Sequence, residues 1–184
     1  HRYFLYNAIL NNDSCIREGK TIGDPTESCL LAMAEQIPVF AKEGAVEHLR
    51  SMMPRLAELP FDSERKCMTT KYMVHNVPML FTKGAVDVLL DRITGIADEN
   101  GVRIITQEDK ERIQKQNLLF SQKGMRVLAF AYREYTQTQL TEESETHLVF
   151  LGLVSMMDPP MEESVRAVKE AIGAGIRPVM ITGD

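Results

Sequence analysis

The chain has 184 residues, with 21 basic against 26 acidic side chains and a net charge of −5, a sign that does not favour nucleic acid or an anionic lipid surface. At this length a folded chain buries roughly 70% of the surface its unfolded form exposes, enough for one good core or for a domain plus part of another. A hydrophobic content of 44% excludes disorder.

The first residues, His1-Arg2-Tyr3-Phe4-Leu5, show neither a basic start before an apolar block nor a small-residue cleavage site, so no secretory signal is visible and the segment reads as cytosolic. Cys15, Cys29 and Cys67 form no Cys-x-x-Cys and read as reduced thiols, with Cys29 as a small core residue in an apolar helical run. His1, His48, His75 and His147 have no partner at metal-ligand spacing. Asn12-Asp13-Ser14 matches a glycosylation acceptor, which means little without an export signal.

In chain order, Asp24-Pro25-Thr26-Glu27 predicts a helix start, with Asp24 as cap, Pro25 at the first helical position and Glu27 as the capping-box acid. Leu30, Leu31, Ala34 and Ile37 give that helix its buried face. A shorter helix is expected over residues 43–52, with Ala45, Val46, Leu49 and Met53 inward. Period-two runs through Met68, Thr70, Tyr72 and Val74, then Val77, Met79 and Phe81, predict a hairpin turning at His75-Asn76. Thr106-Gln107-Glu108-Asp109 opens another helix, closed by Lys123-Gly124. Residues 126–132 read as a central strand and residues 148–157 as a buried one, too short to span a bilayer. Asp158-Pro159-Pro160 stops that strand and starts a helix with Met161, Val165, Val168 and Ile172 on one face, and Val179-Met180-Ile181 then reads as a short parallel strand. A single strand, helix and strand cannot cover both faces of a parallel sheet, so residues 158–184 read as a piece of a larger domain.

Gly19-Lys20-Thr21 looks like the end of a phosphate-binding loop, but Ser14 stands where that loop needs glycine. No Gly-x-Gly-x-x-Gly, Gly-x-Ser-x-Gly or His-Glu-x-x-His occurs. Pro60-Phe61-Asp62-Ser63-Glu64-Arg65-Lys66 sets an aromatic beside a charged run, which alone reads as a solvated loop with Phe61 anchored in the core. Lys83-Gly84-Ala85 places a lysine at a strand end beside a glycine that lets a ligand approach the backbone.

Taken together, Gly23-Asp24-Pro25-Thr26-Glu27, the run from Phe61 to Met68, Lys83-Gly84-Ala85, Gly124-Met125-Arg126-Val127-Leu128-Ala129, Asp158-Pro159-Pro160 and Met180-Ile181-Thr182-Gly183-Asp184 stand in the order and spacing of P-type cation-transporting ATPases. The whole chain resembles the nucleotide-binding domain of that family running into its phosphorylation domain, most nearly in the calcium-pump-like members. The resemblance implies an α+β fold, with an antiparallel sheet flanked by helices over residues 1–157. It also implies a hinge and a βαβ fragment of a haloacid-dehalogenase-like phosphorylation domain over 158–184. It implies binding of ATP with Mg2+ on its phosphates and transfer of the γ-phosphate to an aspartate outside this sequence. The implied partners are the phosphorylation, actuator and transmembrane domains of a pump whose nucleotide domain faces the cytoplasm; the fragment itself would be soluble, monomeric and unable to turn over.

By the same resemblance Phe61 stacks on adenine, Glu27 lies near the adenine edge, Lys83 and Gly84 line the pocket, Leu128 walls it, and Lys66 and Arg126 approach ribose and phosphates. Thr182, Gly183 and Asp184 match the motif that meets phosphate and magnesium. Each keeps a plainer reading, Glu27 as a capping acid, Arg126 as a strand-edge charge and Asp158 as a helix cap. Val86 replaces the family's usual proline, and Ser63 stands where many members carry arginine, a place Arg65 could fill. The Asp-Lys-Thr-Gly-Thr motif of the phosphorylated aspartate is absent from this sequence. The rivals are a soluble phosphatase with a cap domain, which would need its own Asp-x-Asp, and a non-enzymatic interaction module, which would bind no nucleotide.

Overall fold

A computed structural model describes residues 2–157 and 162–179. Helix α1 (Arg2–Leu10) leads into a two-stranded ribbon, β1 (Cys15–Arg17) and β2 (Lys20–Ile22), then α2 (Pro25–Glu35) and α3 (Ala45–Met52). Strands β3 (Ala57–Asp62), β4 (Cys67–Val74) and β5 (Val77–Gly84) follow, then α4 (Val86–Arg92), β6 (Ile93–Asp98), β7 (Gly101–Ile104), α5 (Gln107–Gln122), β8 (Arg126–Glu134), β9 (Leu148–Met156) and α6 (Glu162–Gly173).

Seven strands form one sheet in the order β3-β4-β5-β8-β9-β6-β7. Helices α1, α2 and α3 cover one face, burying Ile9, Leu10, Leu31, Ala34 and Val46 against Tyr72, Val74, Met79 and Phe81. On the other face α4 and α5 bury Val86, Leu89, Leu90 and Ile113 against Ala129, Ala131, Leu148 and Phe150. Removing apolar area of this kind from water is the main term holding the layers together, at roughly 25 cal/mol per Å². With helices on both faces, β4 is buried at every position except Met73, so the period-two residues mark a hairpin without marking a wet face.

The local chemistry accounts for several boundaries. His75 and Asn76 both take positive φ, 49° and 64°, the two-residue turn whose twist suits an antiparallel hairpin. Glu18 and Gly19 do the same between β1 and β2, so Gly19-Lys20-Thr21 belongs to a tight ribbon turn. Asp24 caps α2, accepting from the N–H groups of Thr26 and Glu27, and Thr106 with Asp109 forms the expected reciprocal cap of α5.

Four expectations are corrected. The sheet is mixed: every neighbouring pair is antiparallel except β6 and β9, which run parallel. Strand β9 is paired on both edges, by β8 and β6, so it has no edge to offer a parallel strand after α6. Among the described residues α6 is followed by no strand, and Asp158, Pro159, Pro160, Met161 and Met180 to Asp184 lie outside them. Val165, Val168 and Ile172 of α6 are exposed. Cys29 is exposed on α2, because it precedes the inward-facing Leu30 and Leu31 by about 100° and 200° of helical turn; Cys67 is the buried thiol. Phe61 is 63% exposed on an edge strand, not anchored in the core.

Candidate functional site

The start of β4, the end of β5, the start of β8 and the first turn of α2, with Phe61 of β3, enclose a cavity of about 410 Å3. Its wall brings together Glu27, Phe61, Lys83, Gly84, Arg126 and Leu128, with Asp13, Asp24, Thr26 and Met68 completing it. Pairing of Met68 with Lys83 and of Lys83 with Phe130 sets these side chains on the face covered by α1, α2 and α3.

Lys83 Nζ sits 2.5 Å from Glu27 Oε1 and also donates to the Asn11 carbonyl. Both side chains are largely buried, and burial pulls the Lys83 ammonium below its ordinary pKa while the Glu27 charge opposes that shift. Glu27 Oε2 accepts from the Asp13 N–H at 2.9 Å. The Glu27 carboxylate therefore ties the end of α1 and the start of α2 to β5, in place of the capping-box contact expected of it. Asn12 Nδ2 supports the same junction by donating to the Glu27 carbonyl at 2.9 Å.

Gly23 and Gly84 are sterically required. A Cβ on Gly23, whose φ is 143°, would lie 2.2 Å from Ser14 Oγ. On Gly84 it would lie 2.5 Å from the Cys67 Cβ and 2.6 Å from the Lys66 carbonyl. The reason for Gly84 is thus the approach of β4 on the side away from the cavity, not ligand access alone.

Phe61 stands at the rim, and Arg126, also exposed, reaches Thr26 Oγ1 at 3.4 Å. Lys66 is not in the wall: it is exposed at the β3–β4 turn with φ 52°, and its carbonyl accepts from the Ala85 N–H. Arg65 does not fill the place of Ser63, because its guanidinium is buried on the opposite face of the sheet against Glu145, 2.5 Å away. Thr182, Gly183 and Asp184 lie outside the described residues. Asp13, Asp24, Thr26 and Met68 do not read as wall residues from the sequence, Asp24 reading only as a helix cap, and the strand pairing places Met68 beside Lys83.

A family model described as "P-type ATPase, cytoplasmic domain N" matches residues 2–163. The chain belongs to the P-type ATPase family. It is 42% identical over 184 residues to "Calcium-transporting ATPase 1" of Lactococcus lactis, a match covering 98% of this chain and 20% of that protein. The like-named protein of Bacillus cereus is 37% identical over 184 residues, covering 100% of this chain and 20% of the relative. "Sodium/potassium exporting P-type ATPase 1" of Saccharomyces cerevisiae is 36% identical over 144 residues, 70% of this chain and 13% of the relative. The chain spans about a fifth of the length of the first two relatives. Among the described residues no helix is long and apolar enough to cross a membrane.

Proposed function

We propose that this P-type ATPase domain binds the adenosine end of ATP in the Phe61 cavity and presents the γ-phosphate to an aspartate outside this sequence. The observation that carries the reading is an exposed aromatic ring at the rim of a cavity with Met68 and Leu128 on its wall and a buried lysine–carboxylate pair in it. A cavity near 410 Å3 falls within the usual range of small-ligand sites. Base stacking on such a ring is worth about 1–3 kcal/mol.

Charge sets the ligand's orientation. The wall holds three carboxylates, Asp13, Asp24 and Glu27, against two cations, Lys83 and Arg126, so a triphosphate is disfavoured inside it. Base and ribose therefore enter, and the phosphates leave past Arg126. Lys66 acts from outside the wall as a screened positive charge. Mg2+ arrives with the nucleotide as MgATP; among the described residues no group of three or more His, Cys, Asp or Glu could hold a metal ion. The chain's part is to bind and position. In the full pump a carboxylate oxygen would bond to the γ-phosphorus as its bond to the β,γ-bridging oxygen breaks and ADP leaves.

Residues 158–184 then begin the phosphorylation domain, with Thr182, Gly183 and Asp184 on the phosphate side, and the nucleotide domain faces the cytoplasm. Calcium is the cargo that the names of the bacterial relatives favour.

An ATP titration followed by amide chemical shifts tests the site, with an expected affinity of about 0.1 to several mM, or about −3 to −5.5 kcal/mol. Phe61, Lys83 and Arg126 should move. Saturating shifts confined to other residues would displace the site. Phe61→Ala should weaken ATP and adenosine alike, by about 1–3 kcal/mol. Lys66→Ala should weaken ATP alone, and equal losses for adenosine would remove its phosphate role.

A further inference from the structure

Glu145 lies in the polar stretch between β8 and β9, yet it is fully buried on the sheet face opposite the cavity. Its Oε1 accepts from Arg65 Nη1 and Thr69 Oγ1, both at 2.5 Å, and its Oε2 from Arg92 Nη1 at 2.7 Å. Thr69 Oγ1 is in turn 2.8 Å from Thr82 Oγ1, and Arg65 Nη2 donates to the Pro60 carbonyl.

These contacts share a pattern. Successive residues of a strand point to opposite faces. Pro60, Thr69 and Thr82 are the immediate neighbours of Phe61, Met68 and Lys83, all three of them cavity residues. Arg92 closes α4, the helix that starts just after Gly84 and Ala85. One carboxylate thus reaches the reverse side of the cavity wall in four places, directly at Thr69 and Arg92 and, through Arg65 and Thr69, at Pro60 and Thr82.

The grip matters most at Phe61. The β3–β4 register pairs Leu59 with Thr69 and Asp62 with Cys67, and the irregularity between them leaves Pro60 and Phe61 without ladder partners. The ring is exposed, so core packing does not orient it. Three devices hold this stretch, the first being the Lys66 N–H, which donates to the Asp62 carbonyl at 2.6 Å. Asp62 Oδ1 accepts from the N–H groups of Glu64 and Arg65 at 2.9 and 2.8 Å, and Arg65 reaches back to Pro60 from its anchor on Glu145.

We infer that Glu145 is a positioning residue for nucleotide binding: acting through Arg65 and the Pro60 carbonyl, it fixes the Phe61 ring at the cavity rim before ligand arrives. This rests on the nucleotide-binding reading for its consequence and on the contacts alone for its mechanism. Holding a ring in its bound orientation removes part of the ordering cost of binding.

The test is a double-mutant cycle on the 184-residue chain, reading adenosine affinity for Glu145→Gln, Phe61→Ala and both together, with ring and amide resonances of Phe61 recorded without ligand. Glu145→Gln should weaken adenosine roughly 5-fold or more in the parent background and less than about 2-fold beside Phe61→Ala, because coupled residues are non-additive. Its ligand-free spectrum should show Phe61 shifted and its ring averaged over more orientations. Equal losses in both backgrounds, or an unchanged ligand-free Phe61, would overturn the inference.

Arg65→Lys keeps the buried charge pair while giving up the second guanidinium arm to Pro60. It replaces Glu145→Gln in the cycle if that variant does not fold, with the same outcomes deciding. If the parent chain binds neither adenosine nor ATP, the proposed function falls, whereas the ligand-free Phe61 resonances still decide whether Glu145 positions the ring.

Discussion

Two buried ionic sites sit back to back on the same strands, one built around Lys83 and one around Glu145. Glu145 is enclosed at 0% exposure and its carboxylate is filled, accepting from two arginines, the Thr69 hydroxyl and, at 3.5 Å, the Cys67 thiol. Lys83 uses two of its three N–H donors among the described residues and opens onto a cavity through a pair that is 7% and 14% exposed. A saturated, enclosed charge organises the protein, while a charge with a donor to spare at a cavity wall can meet something else. Burial of a charge therefore does not mark a binding site; unused capacity beside open space does.

The largest effect that separates the two comes from truncation. Glu145→Ala leaves the buried Arg65 guanidinium uncompensated and should cost about 3–5 kcal/mol in urea unfolding. Lys83→Met, which leaves Glu27 able to reach water through the cavity, should cost less than about 2 kcal/mol and weaken ATP. Equal destabilisation by the two variants would erase the contrast.

A subtler separation comes from pH. Burial lowers the Lys83 pKa, so between that lowered value and the ordinary 10.5 the unfolded chain binds more protons at this residue than the folded one does. Stability contributed at this site must therefore rise with pH across that window and level off above 10.5. Unfolding of the parent and of Lys83→Met, compared from pH 8 upwards, should show the parent gaining; a flat difference would mean that Lys83 titrates normally.

The smallest effect is chemical. Burial first, and then the Glu145 charge, push the Cys67 thiol up to about 11, whereas Cys29 is exposed. A thiol reagent at pH 8 should label Cys29 promptly and Cys67 only on unfolding. Rapid labelling of Cys67 in the folded chain would show the Glu145 site to be open.

What the sequence discloses follows from how local the chemistry is. Asp24 and Thr106 announce their helices because a cap is satisfied within three residues, and the β4–β5 hairpin is visible because its turn adjoins both strands. Helix α1 carries no acidic residue in its first turn and no basic one in its last, and it is held to the sheet by Asn7, whose amide donates to the Thr82 and Ala131 carbonyls. The expected βαβ unit rests on the order strand, double proline, helix and apolar run; it would need a free edge on β9, and β6, more than 50 residues earlier in the chain, already occupies it. Of the cavity wall, Glu27, Phe61, Lys83, Gly84, Arg126 and Leu128 are readable through family resemblance. Glu145 is not: it sits in a stretch that reads as polar, and Arg65, the partner that explains its burial, is 80 residues away.

The strand order puts Phe61 on one margin of the sheet and the β6–β7 turn at Glu99 and Asn100 on the other. Six strand spacings separate those margins, on the order of 29 Å across the sheet. A fluorophore at the far turn would leave the cavity untouched and sit at a useful energy-transfer distance from a labelled nucleotide, so occupancy could be read optically without altering a residue that contacts it.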